Sequence, residues 1–395
     1  MPGPLDGLVV LDLSRALAGP HAAMMLGDLG ARVIKIESPA GDDSRGWGPP
    51  FVGPADAPEA TYFLSCNRNK ESVVLDLKSD AGRETLTRLV ERADVLIENF
   101  RTGVFDRLGF PVERLHELNP RLVVLSITGF GHDGPEGGRP GYDQIAQGEA
   151  GLMSLTGPDP DSPTRVGVPI ADLLAGMYGA YGVLAALHER ARTGHGSTVR
   201  TSLLAAVVGV HAFQGTRYTV AGEVGAAQGN HHPSICPYGA FRTADGIVQI
   251  SVGSEALWRR FAPLVGLADD TRFGTNPDRV RRRAELIDLI DAAFSAHPTA
   301  YWLPRLDEIG VPAGEVRSLD RVYGWDQARS QGLLVDVEHA SLGTITLPGP
   351  PLRLFDPDGT ERVIGHAAPP TLGHHTAAVV AELDAIEAGG STGTK

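Results

Sequence analysis

The chain has 395 residues, and 35 basic against 48 acidic side chains give a formal net charge of −13 at pH 7. With 42% hydrophobic and 21% charged residues it has the composition of a folded globular protein, too long for one compact core, so two domains are expected. The acidic balance argues against a nucleic-acid or anionic-membrane partner. Only two cysteines, Cys66 and Cys236, are present, which excludes a disulfide scaffold and a four-cysteine zinc site and points to a reducing, cytoplasmic compartment.

No basic and apolar leader stands at the start, so no signal peptide is expected. Residues Leu8 to Leu13 form a mostly apolar run of strand length, as in a parallel strand covered on both faces. A turn over Ser14 to Gly19 leads into a helix that begins near Pro20 and stops at Gly30. A second strand spans Arg32 to Glu37. The alternation continues with strands at Ser72–Leu77, Val95–Ile97 and Leu122–Ile127 and helices at Ala81–Ala93 and Gly103–Leu108. Such alternation predicts an α/β fold with a Rossmann-like doubly wound parallel sheet, whose ligands bind at the carboxyl ends of the strands.

From Asp172 to about Ala221 the pattern is mostly helical. The apolar runs Leu173–Leu187 and Leu203–Val210 fall short of the roughly 20 residues of a membrane span and read as buried helices. The Gly/Ala-rich stretch Ala221–Asn230 reads as a linker into a smaller α+β domain, with a strand at Gly246–Val252 and helices at Glu255–Leu264 and Pro277–His297. Short strands at Leu334–Val337 and Gly343–Leu347 and a helix at Thr376–Ala388 follow. Residues Gly389–Lys395 read as a frayed tail.

Several motifs fail on their own chemistry. Glu37 follows the second strand as the acid of a dinucleotide site would, but the first turn is Ser14-Arg15-Ala16-Leu17-Ala18-Gly19, with side chains where backbone must approach a pyrophosphate. Gly131-His132-Asp133-Gly134 lacks the ending of a phosphate-binding loop. The Gly-x-Ser-x-Gly match at Gly389–Gly393 has no room for the helix that must follow the serine. His231, His232 and Cys236 match no zinc spacing, and no metal site is expected. Arg279 and Arg281–Arg283, interleaved with acids at helical spacing, read as a solvated helix face.

Asp172 stands apart, the only charge in Val168–Gly176. One reading makes it the N-cap of the helix that follows. The other makes it a nucleophile, ionised at a helix N-terminus and sharpened by apolar neighbours. Basic residues also recur at or after the expected strand ends, namely Arg15, Arg45, Lys70, Lys78, Arg101 and Arg107. If they converge they suit a phosphorylated ligand; otherwise they are ordinary surface cations.

The segments Leu11–Pro20, Leu29–Glu37, Gly41–Arg45, Asn67–Ser72, Leu75–Lys78, Glu98–Arg101 and Arg139–Asp143, in this order, resemble the family III CoA-transferases, from about Leu5 to Leu383. The resemblance implies that Asp172 attacks a donor thioester, passing through a mixed anhydride and an aspartyl-CoA thioester before an acceptor acid leaves as its CoA ester. It places coenzyme A, as substrate and not as a tightly bound cofactor, along Arg15, Leu17, Ala18, Leu75, Lys78, Asn99, Phe100, Arg101, Arg107, Arg139 and Tyr142. Lys78, Arg101 and Arg107 would meet its phosphates, and amides near Ala18 would stabilise an oxyanion. It further implies an interlocked homodimer, with residues 1–220 and 325–395 in a large CoA-binding domain and residues 221–324 in the small one.

Two related branches fit less well. The formyl-CoA:oxalate branch has arginine and glutamine where this chain has Ser38 and Leu17, and a run of glycines where it has Gln228–Pro233, so oxalate is disfavoured. The 2-methylacyl-CoA racemases carry histidine at the place of Tyr142, a poor replacement as a base near neutral pH. Racemisation is the alternative activity, and a non-catalytic CoA-binding homologue is the alternative to an enzyme.

Overall fold

The computed structural model describes residues 3–390 of the chain. Six parallel strands form the central sheet: β1 (Val9–Asp12), β2 (Arg32–Glu37), β3 (Lys70–Val74), β4 (Val95–Glu98), β5 (Val123–Thr128) and β6 (Thr198–Ser202). Their order across the sheet is β3-β2-β1-β4-β5-β6, which is the doubly wound order expected. The order reverses between β1 and β4, so the carboxyl ends of these two strands border the natural ligand crevice.

Successive strand residues point to opposite faces, and both faces are covered. On one, Val10, Val33, Ile97, Leu125 and Ile127 pack with helices α1 (Ala18–Asp28), α2 (Ile170–Thr193) and α3 (Leu203–Gly209). On the other, Leu11, Ile34, Val73, Leu96 and Val124 pack with the helix Asp80–Val90 and with Val379 and Leu383 near the C-terminus. The strand β6 was not expected. It reads Thr-Val-Arg-Thr-Ser, lies at the sheet edge and is only partly buried, so it carries no apolar run to mark it.

Helix α2 has 24 residues, longer than the apolar run in the sequence, and by length and composition alone it could cross a membrane. In the fold it buries Ala171, Ala175, Gly176, Gly179, Ala180 and Val183 in the larger unit. A Cβ at Gly176 would lie 2.6 Å from the carbonyl oxygen of Ala18, so glycine there permits the close approach of α2 to α1.

The chain forms two compact units. One contains the chain up to Leu152, Val166–Thr219 and the part from Asp326 onward; the other contains Met153–Arg165 and Val220–Trp325. Segment 153–165 thus joins the smaller unit, whereas the sequence reading leaves it in the larger. The smaller unit has a three-stranded antiparallel sheet, Ala313–Glu315, Ile247–Ser251 and Tyr238–Arg242, around a core that includes Phe241, Phe261, Phe294 and Trp302. The helix expected over Pro277–His297 is two, Asn276–Arg281 and Arg283–Phe294. Arg279 corrects the solvated-face reading. It is 1% exposed, donates to the carbonyls of Cys236 and Phe273, and pairs with Glu255 at 3.0 Å.

Beneath the carboxyl ends of β1 and β2 lies a charge-balanced quartet of Asp12, Lys35, Asp42 and Lys70, all buried. The Lys70 ammonium meets Asp12 at 2.8 Å and the carbonyl of Pro20 at 2.8 Å. Lys35 meets Asp42 at 2.9 Å and the carbonyl of Ser14 at 2.8 Å. Burial raises the Asp12 carboxyl, but the two lysines outweigh it and hold the group below the usual carboxylate range. The same carboxylate accepts from the Ser14 amide and hydroxyl, and Asp42 accepts from the Ala16 amide at 3.2 Å. These bonds hold the Ser14–Gly19 turn, including Ala16 at φ 65°, a left-handed conformation costly for alanine.

Lys70 is therefore internal and not a phosphate partner. Arg45 likewise grips Glu37 with two bonds of 2.8 and 2.7 Å and stacks on Phe63, so the acid that resembled a dinucleotide ligand is a structural clamp. Removing one partner of a buried pair leaves an uncompensated charge, so Lys70→Met is expected to lose about 3–5 kcal/mol of stability. Urea unfolding checks this, and an unchanged midpoint would contradict it.

Candidate active site

A cavity of about 520 Å³ opens in the larger unit at the crevice between β1 and β4. Its lining brings together Arg15, Ala18, Asn99, Phe100, Arg101, Arg139, Tyr142 and Asp172 from the sequence reading. The first turn and the β4 loop are tied to each other: Arg15 N–H donates to Asn99 Oδ1, and Asn99 Nδ2 donates back to the Arg15 carbonyl, both at 2.8 Å. Glu98, buried at the end of β4, accepts from the Phe100 amide at 2.8 Å and from the Ser126 hydroxyl, which fixes the same loop from below. Ala18 opens α1 and lines the cavity, so its N–H lies at the cavity wall at a helix start, where amides lack partners inside the helix.

Four expected residues do not line this cavity. Leu17 turns into an apolar cluster with Met24 and Cys66, and Leu75 is buried in the core under the sheet. Neither side chain is free to meet a ligand. Lys78, in a turn, and Arg107, at the end of the short helix Val104–Arg107, are exposed outside the cavity. Arg139 lines it but is already engaged, donating to Glu149 at 2.6 Å and resting on the Phe130 ring. Arg15 and Arg101, by contrast, have no carboxylate partner among the described residues.

Asp172 is not the N-cap of α2. That place belongs to Pro169, which offers no side-chain bond, and Asp172 is the third helical residue. The capping carboxylate comes from elsewhere. Asp143, at the start of helix α4 (Asp143–Glu149), accepts from the Ala171 amide at 2.8 Å and the Asp172 amide at 3.4 Å. Its other oxygen accepts from Gln147 Nε2 at 2.7 Å.

The Asp172 carboxylate itself has no salt bridge and no hydrogen bond among the described residues. Burial, and then the negative charge of Asp143, push it up to about 7. This is a poised carboxylate, more basic than its kind and aimed at an open cavity. Tyr62 and Trp47, packed edge to face at 5.0 Å, complete the wall, and burial together with the charge of Asp172 raises the Tyr62 phenol, so it stays a donor at neutral pH. The sequence pattern gave no sign of Trp47 or Tyr62, which reach the site from a loop and a short helix. Asp43 and Asp143 were legible only as parts of motifs, without a role.

A half-buried, unpaired carboxylate in a cavity that also holds the start of α1 suits acyl transfer. The family model for CoA-transferase family III matches residues 5–376. The chain belongs to that family. It is therefore a family III CoA-transferase, and its α/β fold agrees with solved members of the group. It is 39% identical to a CAIB/BAIF family protein from Brucella suis, with a TM-score of 0.87 over 97% of this chain and 100% of that one. Among curated relatives it is 40% identical to the succinate–glutarate CoA-transferase of Agrobacterium fabrum, over 97% of this chain and 96% of that protein. It is 39% identical to the succinyl-CoA:glutarate CoA-transferase of Mus musculus, covering 96% and 86% respectively. An acetyl-CoA:oxalate CoA-transferase from Acetobacter aceti is 37% identical, covering 98% and 97%.

The poised carboxylate can be observed without turnover. In protein labelled with carbon-13 at aspartate carboxyls, one resonance is expected to titrate near pH 7 and to vanish in Asp172→Asn. A midpoint near pH 4 for that resonance would contradict the assignment.

Proposed function

We propose that this enzyme moves coenzyme A from an acyl-CoA donor to a small dicarboxylic acid, with Asp172 as the covalent nucleophile. The observation that carries the reading is the unpaired, desolvated Asp172 carboxylate in the cavity. An Asp172 oxygen attacks the donor carbonyl, the carbon–sulfur bond breaks, and CoA thiolate leaves a mixed anhydride. The thiolate then attacks the Asp172 carbonyl, releasing the donor acid and forming an aspartyl-CoA thioester. The acceptor carboxylate attacks that carbonyl, expels the thiolate and forms a second anhydride. Thiolate attack on its acyl carbon frees Asp172 and yields the new CoA ester. Amides at the start of α1 face the oxyanions, and no step consumes an external energy source.

The dicarboxylate class is supported by Arg15 and Arg101, which can hold a second carboxylate, and by relatives named for glutarate, mesaconate and oxalate. Because one relative is named for oxalate, oxalate belongs in the acceptor panel beside glutarate. Racemisation finds no support, because no histidine among the described residues lines the cavity and Tyr142 is 66% exposed.

We also propose a homodimer, supported by the apolar outer face of α2, where Met177 and Tyr181 are exposed beside Leu352. Two buried free thiols suit a reducing cytoplasm.

Asp172→Ala is expected to lower transfer by about a thousandfold or more while leaving the circular-dichroism melt intact. Hydroxylamine is expected to trap Asp172 only after acyl-CoA is added. Normal turnover in the variant would contradict the mechanism. Across an acid panel, dicarboxylates are expected to exceed acetate and butyrate in kcat/KM; the reverse order would contradict the acceptor class. Analytical ultracentrifugation is expected to give a dimer mass, and a monomer at micromolar concentration would contradict the assembly.

A further inference from the structure

We propose that Asp143 is the positioning residue of the site: its carboxylate caps the helix that carries Asp172 and holds a fixed negative charge beside it. This rests on the reading of Asp172 as the nucleophile, and it concerns a residue that lines the cavity but takes no covalent part in that scheme.

The geometry is specific. Helix α2 lacks a side-chain cap of its own, since Pro169 has none to give. Asp143 Oδ1 takes that part from another helix, accepting from Ala171 and Asp172 amides. Asp143 is itself held by Gln147, one turn along α4 and fully buried. The Val166 amide donates to Gln147 Oε1 at 2.9 Å, which turns the Gln147 amide nitrogen toward Asp143 Oδ2. Both Asp143 oxygens therefore accept from N–H donors. The arrangement fixes the start of α2 and sets the Asp143 carboxylate beside the nucleophile.

No other group replaces that charge. Arg15, Arg101 and Arg139 line the same cavity, as do Asp43, Tyr62 and Tyr142, yet none forms a salt bridge or hydrogen bond with Asp172 among the described residues. His21, which packs against Gly176 one turn along, is kept neutral by burial and by Lys70 and Arg68 and lies at about 4. Asp143 thus acts on Asp172 together with burial, and both make it the stronger base. A more basic carboxylate is the better nucleophile toward a thioester and the poorer leaving group when thiolate attacks the acyl carbon of a mixed anhydride.

Asp143→Asn keeps an oxygen for the Ala171 amide and removes the charge. It also gives up the Gln147 bond, which Gln147→Met removes while leaving the charge in place. Following the Asp172 resonance in carbon-13-labelled protein, Asp143→Asn is expected to lower its midpoint by about one pH unit, and Gln147→Met to leave it near wild type. Relative to its own plateau, kcat/KM of Asp143→Asn at pH 5.5 is then expected to be about eightfold higher than that of wild type. Asp143→Ala is expected to lower the melting temperature as well, and Asn to restore the melt but not the pH profile. Superimposable titrations of wild type and Asp143→Asn would overturn the proposal, as would an equal displacement in Gln147→Met. If the titrations separate as expected but no acid accepts CoA, the transfer reading fails while the role of Asp143 stands.

Discussion

The burial of Asp12 at the carboxyl end of β1 is the constraint from which the site follows. A carboxylate with no solvent exposure must be matched by cations, and Lys35 and Lys70 reach it from β2 and β3. Once there, the two ammonium groups spend their remaining donors on the carbonyls of Ser14 and Pro20. Those carbonyls flank the turn between β1 and α1. Charge matching in the core thereby sets the backbone that meets the cavity.

The same unit treats a second buried carboxylate in the opposite way. Asp12 is neutralised by two lysines, whereas Asp172 pairs with no cation among the described residues and feels the like charge of Asp143. The contrast separates structure from chemistry. A paired carboxylate gives stability and little reactivity; an unpaired one is costly to keep and stays basic. The cost is borne by packing, through Ala171 and Ala175 in the core and the close contact of Gly176 with Ala18.

Much of this was legible in the sequence, and the limits have physical causes. The strands buried on both faces announce themselves as apolar runs, so β1, β2, β4 and β5 and the doubly wound order were readable. The edge strand β6 was not, because a half-covered Thr-Val-Arg-Thr-Ser segment has no apolar signal. Asp172 stood out as a lone charge among apolar residues, but its partner Asp143 lies 29 positions earlier, and no periodicity spans that distance. Cations were the least readable of all. Arg15 and Arg101 reach the cavity, Lys70 is consumed inside the core, Arg45 clamps Glu37, and Arg279 is buried in the smaller unit. Residue type and local spacing are alike in these cases; only the three-dimensional partner differs.

The central claim is that the transferred group passes through the Asp172 carboxyl, and oxygen labelling tests it most directly. A single turnover with acceptor acid labelled with oxygen-18 at both carboxylate oxygens should leave one labelled oxygen in the peptide containing Asp172, seen as a mass increase of about 2 Da. The acceptor acyl-CoA should retain the other, because anhydride cleavage divides the two oxygens between them. Transfer of CoA with no label in that peptide would contradict the account.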